Sequence, residues 1–218
     1  LGFKKRLTSS IFFDLIDKWK KNKSGHNYDC TIAVSGGKDS TYQTYLITKI
    51  VGLKPLLLNF EPSYPTEVGK ANLQNLVDTF GCDLIQLKKS PITYKKLARI
   101  GFDVVGDHEW PNHVGIFCWP IQVAAKFNIP VYFFGEPAGI IGLGRWERLT
   151  GEGSAELTKS EISQYQGFNG YRISDMMQYD KSIKHQDVIP YIHPSKEELK
   201  NDIKSLYLGH FFQWEFKN

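Results

Sequence analysis

Short, uninterrupted apolar runs that alternate with amphipathic stretches leave this chain few folds to choose from. Residues 31–34, 56–60 and 130–134 are too short for buried helices and are rich in β-branched, leucine or aromatic side chains, so each is expected to be a strand. Residues 83–87 supply another. Between them, apolar residues recur every three or four positions: Tyr42, Tyr45, Leu46 and Ile50 in one stretch, then Val68, Leu73, Leu76, Val77 and Phe80 in the next. Thr66 stands where the second of these helices needs a cap, and Ser90-Pro91 opens a third with proline at its first position. A fourth helix is expected over about 112–127. An earlier one, over 8–21, carries Ile11, Phe12, Leu15, Ile16 and Trp19, with Ser9 or Ser10 at its start and Gly25 past its end. Strands without polar alternation need cover on both sides. The expected fold class is therefore α/β, a parallel, doubly wound sheet with helices on both faces. Ligands in such sheets bind beyond the carboxyl ends of the strands, which directs attention to residues 35–40, 59–66 and 135–147.

Residues 1–27 are expected to form an N-terminal helix and linker, and 28–218 the main domain. A loop-rich insertion is expected at about 137–175, where glycines and polar residues follow no period. Ser195-Lys196-Glu197-Glu198 has capping-box spacing and is expected to open a helix reaching about residue 207, with a last strand over 208–214. With 41% hydrophobic and 23% charged residues the chain is not of the disordered class. No apolar run approaches the roughly 20 residues of a membrane span, and residues 1–7 lack the apolar core of a signal peptide. Cys30, Cys82 and Cys118 are isolated from one another and make neither a disulfide framework nor a CxxC knuckle, which favours a reducing, cytoplasmic setting. The chain starts at Leu1 without an initiator methionine, as a fragment or a processed form would. A net charge of +4 disfavours a nucleic-acid partner, and the lysines of 18–23 read as a solvated helix end. His108, Glu109 and His113 match no metal template, His185, His193 and His210 are scattered, and Cys118 reads as a small buried hydrophobe.

Chemistry concentrates in Ser35-Gly36-Gly37-Lys38-Asp39-Ser40, between the first sheet strand and its helix. A helix N-terminus presents unpaired N–H groups and the positive end of its dipole, and is a ready anion site. Adjacent glycines let the backbone approach a phosphate closely. Lys38 adds a cation, and Ser35 and Ser40 add hydroxyl donors. Asp39 would repel phosphates unless it binds Mg²⁺ or orders the loop. The segment is not a Walker A loop, because Asp39 follows the lysine and no glycine stands at the required distance before Gly37. Nor is it Gly-x-Gly-x-x-Gly, so a dinucleotide site is disfavoured.

Ser-Gly-Gly-Lys-Asp-Ser after an apolar strand resembles the PP-loop of the N-type ATP pyrophosphatases. Further stretches resemble one branch of that superfamily, the N-acetyl sugar amidotransferases of lipopolysaccharide and nonulosonic acid biosynthesis. These are Tyr28-Asp29-Cys30, Ser40-Thr41-Tyr42-Gln43, Gly69-Lys70-Ala71-Asn72-Leu73, Gly115-Ile116-Phe117, Ile129-Pro130 with Gly135-Glu136, and 208–214. The branch pattern also has a cysteine-rich zinc-binding segment ahead of the loop, which this sequence does not contain. The resemblance implies an enzyme that uses ATP and Mg²⁺ to adenylate the N-acetyl carbonyl of a small sugar, releasing pyrophosphate, after which ammonia displaces AMP and leaves an acetamidino sugar. A separate glutaminase subunit is the implied source of ammonia. Ser35, Ser40 and the amides of 36–40 would hold the pyrophosphate, with Lys38 supplying charge and Asp39 binding Mg²⁺ or orienting the loop. Asn59 and Phe60, ending the second strand, would border adenine by backbone contacts. Gly115, Glu136 and Arg145 fall to the substrate side, with Mg²⁺ as another role for Glu136, and Asn72 either turns inward or lies on a polar helix face. A tRNA-thiolating enzyme of the same superfamily is disfavoured by the isolated cysteines. A non-catalytic adenine-nucleotide-binding module stays open.

Overall fold

The computed structural model describes residues 12–17, 27–135, 156–157, 170–195, 198–199 and 203–212. Helix α1 spans 12–17, and its Phe12 and Ile16, one turn apart, are both buried. The expected flanks of that helix, including Ser9, Ser10, Gly25 and the lysines of 18–23, lie outside the described residues. Then come β1 (Cys30–Ala33), α2 (Lys38–Tyr45) with a π-helical turn (Leu46–Ile50), β2 (Pro55–Phe60), α3 (Glu67–Phe80), β3 (Asp83–Leu87), α4 (Pro91–Val105), α5 (Trp110–Lys126) and β4 (Val131–Phe134). The start signals read from sequence do their work. Thr66 Oγ1 accepts from Gly69 N at 3.0 Å, and Ser90 Oγ accepts from Thr93 N at 3.4 Å with Pro91 in the first turn.

The strands form one sheet in the order β3-β2-β1-β4-β6-β5, in which β6 is Lys204–Tyr207 and β5 is Glu156–Leu157. The pairs β3/β2, β2/β1, β1/β4 and β4/β6 are all parallel, and only the short β5 runs antiparallel to its neighbour. The fold is a parallel α/β sheet covered on both faces. Successive strand residues point to opposite sides, and the core divides accordingly. Leu56, Leu58, Phe60, Tyr132 and Tyr207 pack with Leu97 of α4 and Trp110, Val114 and Cys118 of α5. Cys30, Ile32, Leu57, Phe133 and Leu206 pack with Leu46, Ile47, Leu73 and Leu76 of the α2–α3 side and with Phe12 and Ile16. Every residue of β2 is buried, as a central strand requires, whereas β3 closes one side of the sheet and is only partly covered. Among the described residues no helix is long and apolar enough to cross a membrane.

Of the stretch expected to be loop-rich, β5 and the start of a helical turn α6 (Ile173–Met176) are described. The C-terminal expectation needs correcting. The capping box exists, with Ser195 N donating to Glu198 Oε2 at 2.8 Å and Glu198 N donating to Ser195 Oγ at 3.2 Å. No helix continues to 207, however, because Lys204–Tyr207 is strand β6. Leu206 and Tyr207 enter opposite cores, the alternation of a strand and not of a helix. Leu208–His210, expected as strand, is a 3₁₀ turn that brings Phe211 against Phe12, with ring centroids 5.0 Å apart.

Candidate functional site

β1 lies between β2 and β4, so the chain moves outward to one side of it and later returns to the other. That reversal opens a crevice at the carboxyl ends of β1 and β4, the usual ligand position in such sheets. Ser35–Ser40 lies at this edge, following β1 and leading into α2.

The turn is held by its own hydroxyls. Ser40 Oγ accepts from Ser35 N at 3.3 Å and donates to Gly37 O at 3.0 Å. Ser35 Oγ accepts from Gly37 N at 3.3 Å, and Thr41 Oγ1 donates to Gly37 O at 3.0 Å. The two serines expected to face a ligand are thus also the braces of the loop. Gly37 is the N-cap of α2, and no side chain caps the helix. Gly36 has φ +80°, and a Cβ there would stand 2.7 Å from Leu73 N, so the loop is seated on the backbone of α3. Lys38 Nζ pairs with Asp39 Oδ2 at 2.8 Å; the lysine is mostly exposed and the aspartate less so.

Beside the turn lies a pocket of about 270 Å³. Its rim is polar, from Ser35, Asp39, Ser40 and Gln43. Its walls are apolar and aromatic, including Phe60 from β2, Phe117 and Pro120 from α5, and Tyr132 and Phe134 from β4. Gln43 is buried and donates to Phe133 O at 2.9 Å, which fixes α2 to β4.

The remaining sequence-derived site residues divide. Phe60 is a pocket wall and Gly115 packs directly under its ring. Asn59 is buried and its side chain serves the sheet: Nδ2 donates to Val34 O at 2.6 Å and Oδ1 accepts from Gln86 Nε2 at 2.8 Å. Asn72 is exposed on α3. Glu136 and Arg145 lie outside the described residues. Cys118 is buried, and loss of solvent pushes its thiol up to about 12, so it is a packing residue and not a nucleophile. His113 Nδ1 lies 3.0 Å from Asp107 Oδ2, and among the described residues no three metal-ligating side chains converge.

Sequence reasoning missed the Pro120, Tyr132 and Phe134 walls of the pocket, and it missed a charged group. Lys89, just past β3, places its ammonium 4.7 Å from the ring centroid of Phe60 and 4.5 Å from that of Tyr94. It donates to Asn112 Oδ1 and lies 3.5 Å from Ser63 Oγ, while Asn112 in turn donates to Glu109 and to Tyr94 Oη. Five segments supply these side chains, so no local motif marks the cluster. The only sequence signal was its place at a strand's carboxyl end. Burial lowers the Lys89 pKa to about 8, against the smaller opposing effect of Glu109 and Glu61. Titration of ¹³C-labelled lysine side chains should therefore show one resonance with a midpoint near 8, lost in Lys89→Met. A midpoint in the ordinary range of about 10.4 would show the amine to be solvated.

No protein-family model and no curated protein matches the chain. Among solved structures, it is similar to NMN synthetase from Francisella tularensis, at 14% sequence identity over 89% of this chain and 91% of that one, with a TM-score of 0.44.

Proposed function

We propose that the chain binds ATP with its phosphates at Ser35–Ser40 and adenylates the N-acetyl carbonyl of a small sugar. What carries the nucleotide part of this reading is the start of α2, without a side-chain cap behind a Gly-Gly turn, placed at the strand-order reversal with a pocket against it; the acetamido sugar comes from the resemblance of the stretches named above. An amide carbonyl is a poor electrophile. Its oxygen attacks the α-phosphorus, the bond to the β-phosphate breaks, and the electron pair leaves with pyrophosphate. Ammonia then adds to the activated carbon, the C–O bond breaks, AMP departs, and an amidine remains.

The protein's part is to hold charge and to align atoms. First-turn amides of α2 and Lys38 face the departing pyrophosphate. Mg²⁺ fits the site as well, since such sites hold the ion with one or two carboxylates plus phosphate oxygens, and Asp39 is the carboxylate on the pocket rim. When bound, the ion neutralises phosphate charge. Ammonia comes from a separate glutaminase or from free ammonium, Cys118 being inert.

The test is AMP release that depends on both an acetamido sugar and ammonium. Lys38→Ala and Asp39→Ala should each cut it by about tenfold or more, equivalent to about 1.4 kcal/mol of transition-state stabilisation, without loss of fold. Wild-type rates in both variants would remove the turn from the mechanism. Nucleotide binding without any AMP release would identify a non-catalytic module.

A further inference from the structure

Phe60 belongs to two parts of the molecule at once. It lines the pocket beside the turn, and it carries the Lys89 ammonium over its ring. Its remaining surroundings are tight and uncharged: Gly115 meets the far edge of the ring, and the rings of Trp119 and Tyr191 stand around it. A cation over a ring face is attracted by the ring's quadrupole, and the attraction grows as water is excluded. Lys89 is half-buried, and Tyr94 supplies a second ring to the same ammonium. Asn112 Oδ1 and Ser63 Oγ, both neutral, fix its direction from α5 and from the segment after β2. The charge therefore stays available to the rings.

We infer that Lys89 is a positioning residue for the pocket: its positive charge holds the Phe60 ring in place as a wall, so a ligand there binds more tightly to the protonated lysine than to the neutral one. Loss of the proton removes the attraction and leaves the ring free to turn toward the amine. Burial lowers the Lys89 pKa to about 8. The titratable groups that face it are Glu109 at the start of α5, Glu61 after β2 and the Tyr94 phenol of α4. The two carboxylates favour the charged amine, and burial pushes the Tyr94 hydroxyl up to about 12, so it keeps its proton through this range. Affinity is thus full below about pH 8 and falls as the pH rises through it. By linkage, a ligand that prefers the charged lysine raises the lysine's own midpoint. The ligand half of the inference rests on the reading of the turn as an ATP site; the hold of Lys89 on the ring does not.

The experiment uses the full chain and the variants Lys89→Arg and Lys89→Met, with two readouts. The first needs no ligand. Ring signals of ¹³C-labelled phenylalanine are followed from about pH 6.5 to about 9.5, with Phe60 identified by its contacts with Trp119 and Tyr191. In the wild type its signal should move with the midpoint of the lysine. In Lys89→Arg, whose guanidinium stays charged and stacks on rings, it should not move. The second readout is ATP binding by calorimetry over the same range. Wild-type affinity should fall about fivefold, the order of a part-buried cation–π contact. Lys89→Arg, which keeps every other titrating group, should match the wild type at low pH and lack this fall, and Lys89→Met should be about fivefold weaker throughout. ATP should raise the wild-type lysine midpoint by about 0.7, the same fivefold preference seen from the other side. A Phe60 signal that stays still through pH 8, or one pH profile of ATP affinity shared by wild type and Lys89→Arg, would overturn the inference; a lysine that merely supports the fold would give the second. A ring that titrates in a protein that binds no ATP would remove the nucleotide reading and keep the hold of Lys89 on Phe60. ATP binding beside a ring that does not titrate would do the reverse.

Discussion

Gly36→Ala is expected to destabilise the protein by roughly 3 kcal/mol and to abolish binding of ATP. Two costs add. At φ +80° an alanine sits in the left-handed region, at roughly 1–2 kcal/mol. The new methyl would also lie 2.7 Å from Leu73 N, 3.0 Å from its Cα and 3.1 Å from Gly69 O. These are backbone atoms of a helix, with no flexible end to swing aside, so a further 1–3 kcal/mol of overpacking is the right order. For a chain of this size that is roughly 6–12 °C in unfolding temperature. The loop can relieve the contact only by lifting off α3, which carries the first-turn amides of α2 away from a phosphate. Calorimetry and an ATP titration measure the two effects. An unchanged melting temperature together with unchanged ATP affinity would show that the turn does not rest on α3.

Gly115→Ala sets two magnitudes against each other. On helix propensity alone it should stabilise α5 by about 1 kcal/mol. The site has no room for it: a Cβ would meet Phe60 Cζ at 2.1 Å and Cε1 at 2.4 Å. The ring is confined by Trp119 and Tyr191, at centroid distances of 6.2 and 5.9 Å, and carries Lys89 on its face. Overpacking of about 1–3 kcal/mol outweighs the propensity gain, and the ring must move. Since that ring is both a pocket wall and the seat of Lys89, three readouts should change together: unfolding temperature, ATP affinity and the Lys89 titration midpoint. A variant more stable than wild type, with the other two unchanged, would place Gly115 away from Phe60.

What could be read from the sequence was whatever a local pattern enforces. Continuous apolar strands, the Thr66 and Ser90 caps and the Gly-Gly turn each state their own geometry, and the parallel sheet followed from their order. β6 escaped because a sound local signal pointed past it: the Ser195–Glu198 box does form, and nothing nearby in sequence says that Leu206 and Tyr207 must separate into two cores. Asn59 could be placed at a strand end, but the bonds to Val34 and Gln86 that occupy its side chain depend on strand register. Lys89 and Tyr132 were illegible for a related reason. A lysine between two rings and a tyrosine in a pocket wall are properties of burial, and burial is decided by residues far along the chain.

β3 has one further consequence. Among the described residues the sheet stops at this strand, which leaves a row of backbone donors and acceptors facing outward. Such a margin invites other polypeptides to add themselves, the first step towards fibrils and amorphous precipitate. Here the margin is only five residues long, Asp83 and Gln86 are exposed along it, and Lys88 follows at once. Those features make it a poor template, so the chain carries at its border a safeguard against self-assembly.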